Sequence, residues 1–428
     1  ANNVNSSKVT FTIDTLKPTF SWTDPTPADG VSITNTFVYL NTTVTDATQT
    51  SAWFDWNKSL VGYWSMDVRN STGVFDNSTY NNFGTSSGAV YNSSGMYGGA
   101  YTFDGVNDVI NINYPFGGLD TATTGTWSAW IYTNGGSVFL SIGKSTINSQ
   151  IMMQAISGTN VLRALALDET SSIKWDLRTT AGIGVNTWTH VVLVQNNTSP
   201  VLYVNGVAVA QSFSSSVDKT IWLNDITGFN KMTIGANAIT PQAFYNGSVD
   251  DVMIFDRALS STEILALYNN SANRLQNNFT SLSDAIYNYS AYSIDKAGNL
   301  NITSPDRQIT IDTTFPTLTF ANPTTNSSNL SQNFIQANLS FSDTNLGTAN
   351  ISLFNSTRNI INSTAGTTST LFINFTGLAD GTYYLNASVN DTAGNKNQTE
   401  TRIITLDTTF PTITINIPIN NSFTIDTL

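Results

Sequence analysis

Aspartate is the residue type in this sequence whose spacing most readily suggests chemistry. Of the 29 acidic residues in the 428-residue chain, only Glu169, Glu263 and Glu400 are glutamates. Calcium ions bind carboxylate, amide and backbone carbonyl oxygens, about six to eight at a time. The sequence therefore predicts a structural Ca²⁺, with these candidate ligands: Asp67, Asp76, Asn77, Asp104, Asp108, Asp250 and Asp251. The alternative is that Asp104 closes its own turn and Asp250 forms hydrogen bonds beneath a sheet.

A histidine-based active site would depend on one residue, because His190 is the single histidine and cysteine is absent. His190 lies in the strand-like run WTHVVLV, where Trp188, His190 and Val192 share one side. We predict a partly buried imidazole bonded to a backbone carbonyl or an aspartate. Zinc and copper sites, which need several nitrogen or sulfur ligands, are not expected.

Charge and composition argue against two classes of partner. The formal net charge is −12 and the pI is about 4.3, whereas a protein that binds nucleic acid presents a basic face. No basic amphipathic stretch suits a membrane surface, and no apolar run approaches the ~18 residues of a membrane span. The polar residues 1–7 are predicted to be a mature terminus or the start of a cut fragment.

The sequence holds 24 N-x-S/T sequons, nearly twice the number that its composition gives by chance. This excess predicts a heavily N-glycosylated protein on the cell exterior, with ordinary turn and strand chemistry as the alternative. The candidate glycosylation sites are Asn5, Asn41, Asn77, Asn92, Asn197, Asn246, Asn278, Asn288, Asn301, Asn338, Asn350, Asn374 and Asn386.

The elements that must position these groups are predicted to be strands, since alternating apolar patterns recur along the chain. Apolar runs on both sides of Asp104-Gly105 predict a hairpin with a tight turn. Asn205-Gly206 predicts a second, two-residue hairpin turn. One helix is predicted over residues 260–268, where Ser260 and Glu263 can form a capping box.

Internal repeats divide the chain. Three segments end a strand with Asp-Thr and a nearby proline: residues 11–22, 309–320 and 403–415. Residues 277–299 and 373–395 align without a gap and share 11 of 23 residues. We therefore predict an intact repeat and a second repeat that is split, because its first half lies some 215 residues upstream, at residues 37–57.

The predicted layout places a large domain in a loop of the split repeat, where insertions are tolerated. The segments are 1–16 as a terminal strand or linker, 17–57 as the first half of module 1, 58–273 as the insertion, 274–313 as the second half of module 1, 314–408 as module 2, and 409–428 as the start of a further module or a terminal pairing strand.

Residues 58–273 resemble a laminin G-like domain of the concanavalin A-like jelly-roll superfamily. The segments that carry the resemblance occur in order as LVGYWSMD, GGAYTFDGVNDVI, TWSAWIY, NTWTHVVLV, LYVNGVAV and YNGSVDDVMIFDRALSSTEILALY. The resemblance implies two antiparallel sheets face to face, often with one Ca²⁺ at a sheet rim. It also implies that the first and last strands are neighbours, so the candidate ligands near their ends can converge.

The flanking repeats resemble bacterial-type Ig-like modules of surface proteins, on their D-x-A-G-N turns at 295–299 and 391–395 followed by I/L-D-T-x-x-P. The predicted fold class is thus all-β, a laminin G-like two-sheet jelly roll plus Ig-like β-sandwich modules. Asp295 and Asp391 are expected to close their own turns. The alternative is a Ca²⁺ site with Asp312 or Asp407 at the domain junction.

The jelly-roll superfamily contains glycoside hydrolases, whose laminarinase-like members carry their catalytic carboxylates at an E-x-D-x-E type spacing on one strand. This sequence has no such motif, since Glu169 lies in a predicted turn, Glu263 caps a helix and Glu400 is in another module. We predict a protein without catalytic activity.

A lectin site would instead need exposed aromatic rings. Trp64, Trp127, Trp130 and Trp188 are predicted to be core residues, which leaves Trp175 and Trp222 as candidates.

We expect an extracellular cell-surface protein: an adhesin, or a subunit of a surface filament or layer, that displays the laminin G-like domain on Ig-like spacers. The alternatives are a lectin-type carbohydrate-binding module and an accessory region of a secreted glycan-active enzyme. The expected partners are other surface-protein subunits or cell-surface glycans. FTIDTL occurs at 11–16 and at 423–428, which fits a module cut short, a tandem array, or head-to-tail self-assembly by strand exchange.

Overall fold

The computed structural model describes residues 13–113, 117–239, 242–269, 274–414 and 416, so the C-terminal copy of FTIDTL lies outside the described residues. The chain is all-β, and its described residues form two compact units. One takes in the described residues up to Gly30, with Phe37–Ser281 and Ile286–Ile309; the other takes in Val31–Thr36, Leu282–Ala285 and the described residues from Thr310 onward. No helix in the described ranges has the length and apolar character to cross a membrane.

Four strands precede the inserted domain. They are β1 (Thr19–Trp22), β2 (Val31–Ile33), β3 (Val38–Thr45) and β4 (Thr50–Trp56).

The inserted domain follows directly, with seventeen strands, two short 3₁₀ helices (Leu119–Thr121 and Leu223–Asp225) and one α-helix. The strands are β5 (Leu60–Trp64), β6 (Arg69–Asn70), β7 (Gly73–Val74), β8 (Gly84–Ser87), β9 (Val90–Asn92), β10 (Ala100–Asp104), β11 (Val109–Asn113), β12 (Gly125–Lys144), β13 (Ser149–Ala155), β14 (Val161–Leu167), β15 (Ile173–Gly182), β16 (Trp188–Gln195), β17 (Pro200–Val204), β18 (Val207–Ala208), β19 (Gln211–Ser216), β20 (Lys231–Ile234) and β21 (Asn246–Phe255). Helix α1 is Ser261–Tyr268.

Two antiparallel sheets of the insert share the 20-residue strand β12. In the first sheet, β12 pairs with β16 and β21; β17 and β18 continue beyond β16, while β10, β9 and β5 lie beyond β21. In the second sheet, β12 pairs with β13 and β20, and the order runs from β19 through β15, β14 and β13 to β12, then β20, β11, β8, β7 and β6. The strand passes from one sheet to the other at Gly136, whose φ of 78° suits glycine.

The predicted hairpin at Asp104-Gly105 is wrong. Gly105 does adopt a positive φ, but β10 pairs within the first sheet and β11 within the second. The turn therefore carries the chain from sheet to sheet. A hairpin and a crossing between sheets give the same alternating pattern, because in either arrangement each strand buries one face in the core between the sheets.

The Asn205-Gly206 turn and the helix agree with the sequence. Both turn residues have positive φ, 49° and 80°, as a type I′ hairpin turn requires. Ser260 caps α1 by accepting from the Glu263 backbone N–H, and the Glu263 carboxylate accepts from the Ser260 backbone N–H. Glu263 also forms a 2.7 Å ion pair with Arg257.

The chain then returns to the first sandwich through β22 (Arg274–Phe279), β23 (Ala285–Asp295), β24 (Leu300–Ile302) and β25 (Arg307–Ile311). β22 pairs with β3 and β23 pairs with β4, so strands on either side of the insert complete one another. One sheet is β1-β3-β22, and the other contains β25-β23-β24 with β4 on β23.

Two apolar cores of unit 1 lie against the first sheet, and a separate small cluster is formed by Val138, Met152, Leu165 and Leu167. The larger lies between the two sheets of the insert and includes Trp127, Phe103 and Trp222. The smaller lies on the outer face of the first sheet, where Trp53 and Tyr292 of the sandwich meet residues of the insert such as Trp130 and Leu267. The insert is therefore held by a packed face as well as by its two connections.

The second sandwich is intact. Its strands are β26 (Thr317–Ala321), β27 (Ser328–Leu330), β28 (Ile335–Ser342), β29 (Leu346–Phe354), β30 (Ile360–Gly366), β31 (Thr370–Phe375), β32 (Gly381–Asp391), β33 (Lys396–Gln398) and β34 (Arg402–Leu406). One sheet is β26-β28-β31; the other is β27-β34-β32-β29-β30, with β33 on β32 and β27 parallel to β34. A single core lies between them, formed by residues such as Leu339, Ile351 and Leu385.

Candidate functional site

A row of four side chains crosses the outer face of the first sheet. Trp188 on β16 lies opposite Tyr132 on β12, Tyr132 opposite Ser248 on β21, and Ser248 opposite Thr102 on β10. Cross-strand partners project from the same face of a sheet. These four side chains therefore form one continuous line, which we call the aromatic–hydroxyl row.

The row lies on the part of this face that stays open. Trp188 and Tyr132 are partly exposed, and their rings meet edge to face with centroids 5.8 Å apart. Two residues further along the same strands, Trp130 and His190 are buried, and the ring of Tyr268 from α1 stacks near both of them. The helix thus covers one part of the face and leaves the other accessible.

Polar groups flank the two rings. The Thr102 and Ser248 hydroxyls lie 2.9 Å apart and share a hydrogen bond. Asn92, Ser94 and Asn134 line the same open cleft, and none of its described lining residues carries a charge. An exposed ring offers a stacking surface, while neutral hydroxyl and amide groups donate and accept hydrogen bonds. The arrangement suits a ligand that has both an apolar face and several hydroxyl groups.

The sequence predicts Trp188 in the core and leaves Trp175 and Trp222 as candidates for an exposed site; in the structure Trp188 packs against the core on the outer face but stays partly exposed. Trp175 and Trp222 are both fully buried in the core between the sheets, and Trp175 donates its indole N–H to the Ile221 carbonyl at 3.0 Å. The positions of α1 and of the sandwich residues that pack beside it distinguish covered from open residues on the outer face, and strand periodicity does not contain that information.

Three of the predicted calcium ligands gather around the loop of residues 95–99. Asp250 Oδ2 accepts from the backbone N–H groups of Met96 and Tyr97 at 2.7 and 3.0 Å, and Asp67 Oδ1 accepts from the Gly99 N–H at 2.7 Å. Asp251 Oδ1 accepts from the Tyr63 hydroxyl at 2.7 Å. The second carboxylate oxygens of Asp67 and Asp251 are buried and have no hydrogen-bond partner in the described structure.

Burial governs the protonation of these carboxyls. It raises the pKa of Asp67 to about 7, against smaller opposing effects from the Gly99 N–H and Arg69. Burial also raises the pKa of Asp250 and Asp251 well above the ordinary range. The compensating cation is Lys296, which lowers the pKa of Asp251 and donates from Nζ to the Met96 carbonyl at 2.6 Å.

The other candidate ligands are occupied in local turns. Asp76 accepts from the backbone N–H groups of Tyr63, Ser78 and Asn82, while Asn77 accepts from the Ser65 hydroxyl. Asp104 accepts from the Val106 and Asn107 N–H groups, and Asp108 accepts from the Asp104 N–H. Asp104 and Asp108 thus have the turn-forming role that the sequence allows for Asp104, whereas Asp76 and Asn77 also accept from Tyr63 and Ser65 on the chain before them.

Two groups of carboxylates that the sequence did not assemble recur in the two sandwiches. Asp14, Asp46 and Asp295 lie with carboxylate oxygens within 4.8 Å of one another in the first, and Asp312, Asp343 and Asp391 do so in the second. We call these sets the aspartate triads. Asp295 is therefore placed with Asp14, not with Asp312, and Asp407 belongs to neither triad.

Asp295 and Asp391 also close their D-x-A-G-N turns, as the sequence predicts. Asp295 Oδ1 accepts from the Ala297 and Asn299 N–H groups, and Asp391 Oδ1 accepts from Asn395. The signal for the triads was present in the sequence as the repeated Asp14/Asp312 and Asp46/Asp343 positions.

His190 is 1% exposed and therefore structural rather than reactive. Its Nε2 lies 2.9 Å from the Ser128 hydroxyl, so the partner is neither the carbonyl nor the aspartate that the sequence suggested. Burial lowers the pKa of the imidazole to about 3. Glu169 lies in a turn, as predicted.

The candidate glycosylation sites differ in accessibility. Asn41 is 3% exposed and donates from Nδ2 to the Asp24 carbonyl at 2.8 Å, so the folded structure does not accommodate a glycan there. The exposed sites are Asn92, Asn197, Asn246, Asn278 and Asn374. The partly exposed sites are Asn77, Asn288, Asn301, Asn338, Asn350 and Asn386. Asn5 lies outside the described residues.

Comparison with known proteins bears on the inserted domain. Residues 104–265 match the family described as the concanavalin A-like lectin/glucanases superfamily. Together with the two facing sheets, this match confirms the jelly-roll prediction for that part of the chain. The Ig-like resemblance of the sandwiches stays a prediction. No curated protein matches the chain.

Several solved structures are similar to parts of the chain. Domain 4 of AbnA, a GH43 extracellular arabinanase from Geobacillus stearothermophilus solved with arabinotriose, is 18% identical, with a TM-score of 0.39 over 49% of this chain and 98% of that domain. The CBM40 of the Ruminococcus gnavus IT-sialidase, solved with α2,3-sialyllactose, is 19% identical, with a TM-score of 0.31 over 35% of this chain and 84% of that one. Trypanosoma rangeli sialidase is 18% identical, with a TM-score of 0.37 over 49% of this chain and 32% of the sialidase.

Proposed function

We propose that the jelly roll binds carbohydrate through the aromatic–hydroxyl row. The supporting observation is the line of Trp188, Tyr132, Ser248 and Thr102 along an open cleft, in which aromatic rings and neutral hydrogen-bonding groups lie side by side and Ser248 is 7% exposed. Sugar rings present C–H faces that stack on aromatic rings and hydroxyl groups that pair with hydroxyl and amide side chains. Residues 104–265 match the superfamily described as concanavalin A-like lectin/glucanases, and this match supports the same class of ligand.

The wider role that we propose is adhesion at a cell exterior. The jelly roll is the glycan-binding part, and the Ig-like sandwiches are spacers that carry it. The excess of sequons supports an extracellular location. The partners in this proposal are cell-surface glycans or other surface-protein subunits.

The test is binding of the purified chain to a glycan array, with protein made in a host that does not N-glycosylate. That host matters because Asn92, a candidate glycosylation site, lines the cleft. Trp188→Ala and Tyr132→Ala are expected to abolish binding, and Trp188→Phe to retain part of it. Phe372→Ala, which changes an exposed ring of the second sandwich, is the matched control. Binding that survives Trp188→Ala would reject the site.

We also propose that the chain has no catalytic activity of its own. No pair of glutamates suited to glycoside hydrolysis lies near the row, since Glu263 is buried in its ion pair and Glu169 lies in a turn. Incubation with neutral β-glucans and arabinans should release no reducing ends. Release of oligosaccharides that follows the purified protein through chromatography would contradict this proposal.

A further inference from the structure

Trp188 is among the lining residues of two open clefts. The first is the cleft of Tyr132, Ser248 and Thr102 described above. The second lies between the end of β15, the segment before β16, and the β17–β18 hairpin, and its lining includes Thr180, Gly184, Thr187, Asn205 and Ala210. A ligand that stacks on Trp188 in one cleft can therefore continue into the other.

Hydrogen bonds between the surrounding segments fix the walls of the second cleft. The Thr180 N–H donates to the Ala210 carbonyl at 2.9 Å, and the Ile183 N–H donates to the Asn160 carbonyl at 2.8 Å. Asn205 is held from both sides: its N–H donates to the His190 carbonyl, and its Oδ1 accepts from the His190 N–H. Because the cleft exists before any ligand binds, little conformational entropy is lost on binding.

The polar groups in both clefts are neutral. Threonine hydroxyls, asparagine amides and backbone groups provide them, and no Asp, Glu, Lys, Arg or His side chain is among the described lining residues of either cleft. A carboxylated or sulfated sugar would find no cationic partner here, in a chain of formal net charge −12. Of the arginines in the inserted domain, Arg163 and Arg178 bind Asp176, Arg257 binds Glu263, and Arg69 lies over the Tyr91 ring; none of these four described side chains lines either cleft.

Resting on the proposed function, we propose that the ligand is a neutral oligosaccharide chain that places sugar units in both of the clefts that Trp188 lines. The first cleft binds one end of the bound stretch through Tyr132 and the Thr102–Ser248 hydroxyls. The second cleft binds the rest of the oligosaccharide through Thr187 and Asn205. Affinity then depends on chain length, because a short saccharide occupies one cleft only.

The experiment is isothermal titration calorimetry with the purified chain and defined neutral oligosaccharides of glucose, mannose, galactose and arabinose, from disaccharide to hexasaccharide. Oligogalacturonates and oligomannuronates of equal length are the acidic counterparts. We expect one neutral series to gain about tenfold in affinity between disaccharide and hexasaccharide, and the acidic series to bind at least about tenfold more weakly.

Ala210→Tyr obstructs the second cleft at an exposed position and separates the two contributions. It should reduce hexasaccharide affinity to the disaccharide level, whereas Trp188→Ala should weaken the binding of both lengths. Unchanged circular dichroism and melting temperature establish that the variants are folded.

The outcomes distinguish this inference from the function on which it rests. Trp188-dependent binding that is independent of length, or equally tight for acidic chains, would overturn the inference and leave carbohydrate binding intact. If no saccharide binds, both are rejected.

Discussion

The two sandwiches are copies of one pattern that differ in what their equivalent faces contact. Both contain the D-x-A-G-N turn and an aspartate triad. On the first, Trp53 lies opposite Tyr292 across β4 and β23, and both are buried against the jelly roll. On the second, the equivalent pair across β29 and β32 is Asn350 and Ser388, of which Ser388 is exposed.

This difference shows what an insertion requires beyond a permissive loop. A free sandwich face carries polar residues such as those of the second copy. Where the jelly roll was inserted, the same positions carry large apolar side chains, which join the core on the outer face of its first sheet. The comparison predicts that the two copies respond differently to matched changes.

The largest effect is expected from Trp53→Ala. Trp53 is 1% exposed and packs against Tyr63 and Tyr292 with ring centroids 5.1 and 5.5 Å apart. Removing a buried tryptophan side chain costs about 3–5 kcal/mol. The matched change Asn350→Ala should cost less than about 0.5 kcal/mol. All nine tryptophans lie in the first unit, so tryptophan fluorescence in urea measures the loss in Trp53→Ala, and circular dichroism, which also follows the second unit, measures the loss in Asn350→Ala; equal losses in the two variants would contradict the comparison.

The stabilities of the two units should also respond differently to a change of pH. The raised pKa of Asp67, about 7, means that its folded carboxyl holds a proton more tightly than the unfolded one. Its stabilising contribution is therefore present below about pH 4 and is lost as pH rises through about 7. Asp55 and Asp256, with pKa values raised by burial to about 6, act in the same direction.

Between pH 5 and pH 8 we expect the free energy of unfolding of the first unit to fall by roughly 1–2 kcal/mol. In the second unit, hydrogen bonds from threonines lower the pKa of Asp284 and Asp380, so their contribution changes only at more acid pH. Urea midpoints at four pH values test this, and Asp67→Asn should flatten the slope. A slope of the opposite sign in the first unit would contradict the assignment.

A smaller effect is expected from exchanging one turn residue between the copies. Lys296 in the first turn corresponds to Thr392 in the second. Lys296→Thr removes the hydrogen bond to the Met96 carbonyl and the cation nearest the buried Asp250 and Asp251. We expect a loss of about 1 kcal/mol in urea unfolding, and none from the reverse change Thr392→Lys. A Lys296→Thr variant with an unchanged free energy of unfolding would show that packing alone holds the turn in place.

The smallest expected effect is that of calcium, which stays a prediction. If the aspartate triads bind it with the sub-millimolar to millimolar affinity usual for extracellular modules, chelation should cost about 0.5–1 kcal/mol in each unit at millimolar calcium. Asp46→Asn and Asp343→Asn should remove the calcium dependence of the first and second unit, respectively. Melting curves that coincide with and without chelator would reject calcium at both triads.

Much of the architecture could be predicted because it depends on local patterns and repeats. The Asn205-Gly206 turn and the Ser260–Glu263 capping box each need only neighbouring residues. The gapless match of residues 277–299 to 373–395 was sufficient to predict a split module, and the pairing of β22 with β3 agrees with it.

The sequence-based predictions that differ from the structure share a different cause. Strand alternation identifies which face of a strand is apolar, but it does not identify the sheet that the strand joins or what covers its other face. Alternation therefore predicts a hairpin at Asp104-Gly105, where the chain crosses between sheets, and it does not predict that Trp188, at the edge of the outer core, stays partly exposed. The first aspartate triad joins residues more than 200 positions apart, such as Asp46 and Asp295, which only the folded chain brings together.

The strand pairs that close the first sandwich have a mechanical consequence. β3 is hydrogen-bonded to β22 over six registered pairs and β4 to β23 over seven, so the chain segments entering and leaving the jelly roll are clamped together by two antiparallel ladders. Tension applied along the polypeptide reaches these ladders before it reaches the insert. The jelly roll therefore lies outside the path of the load, and the row that includes Trp188 keeps its geometry while the chain on either side is pulled.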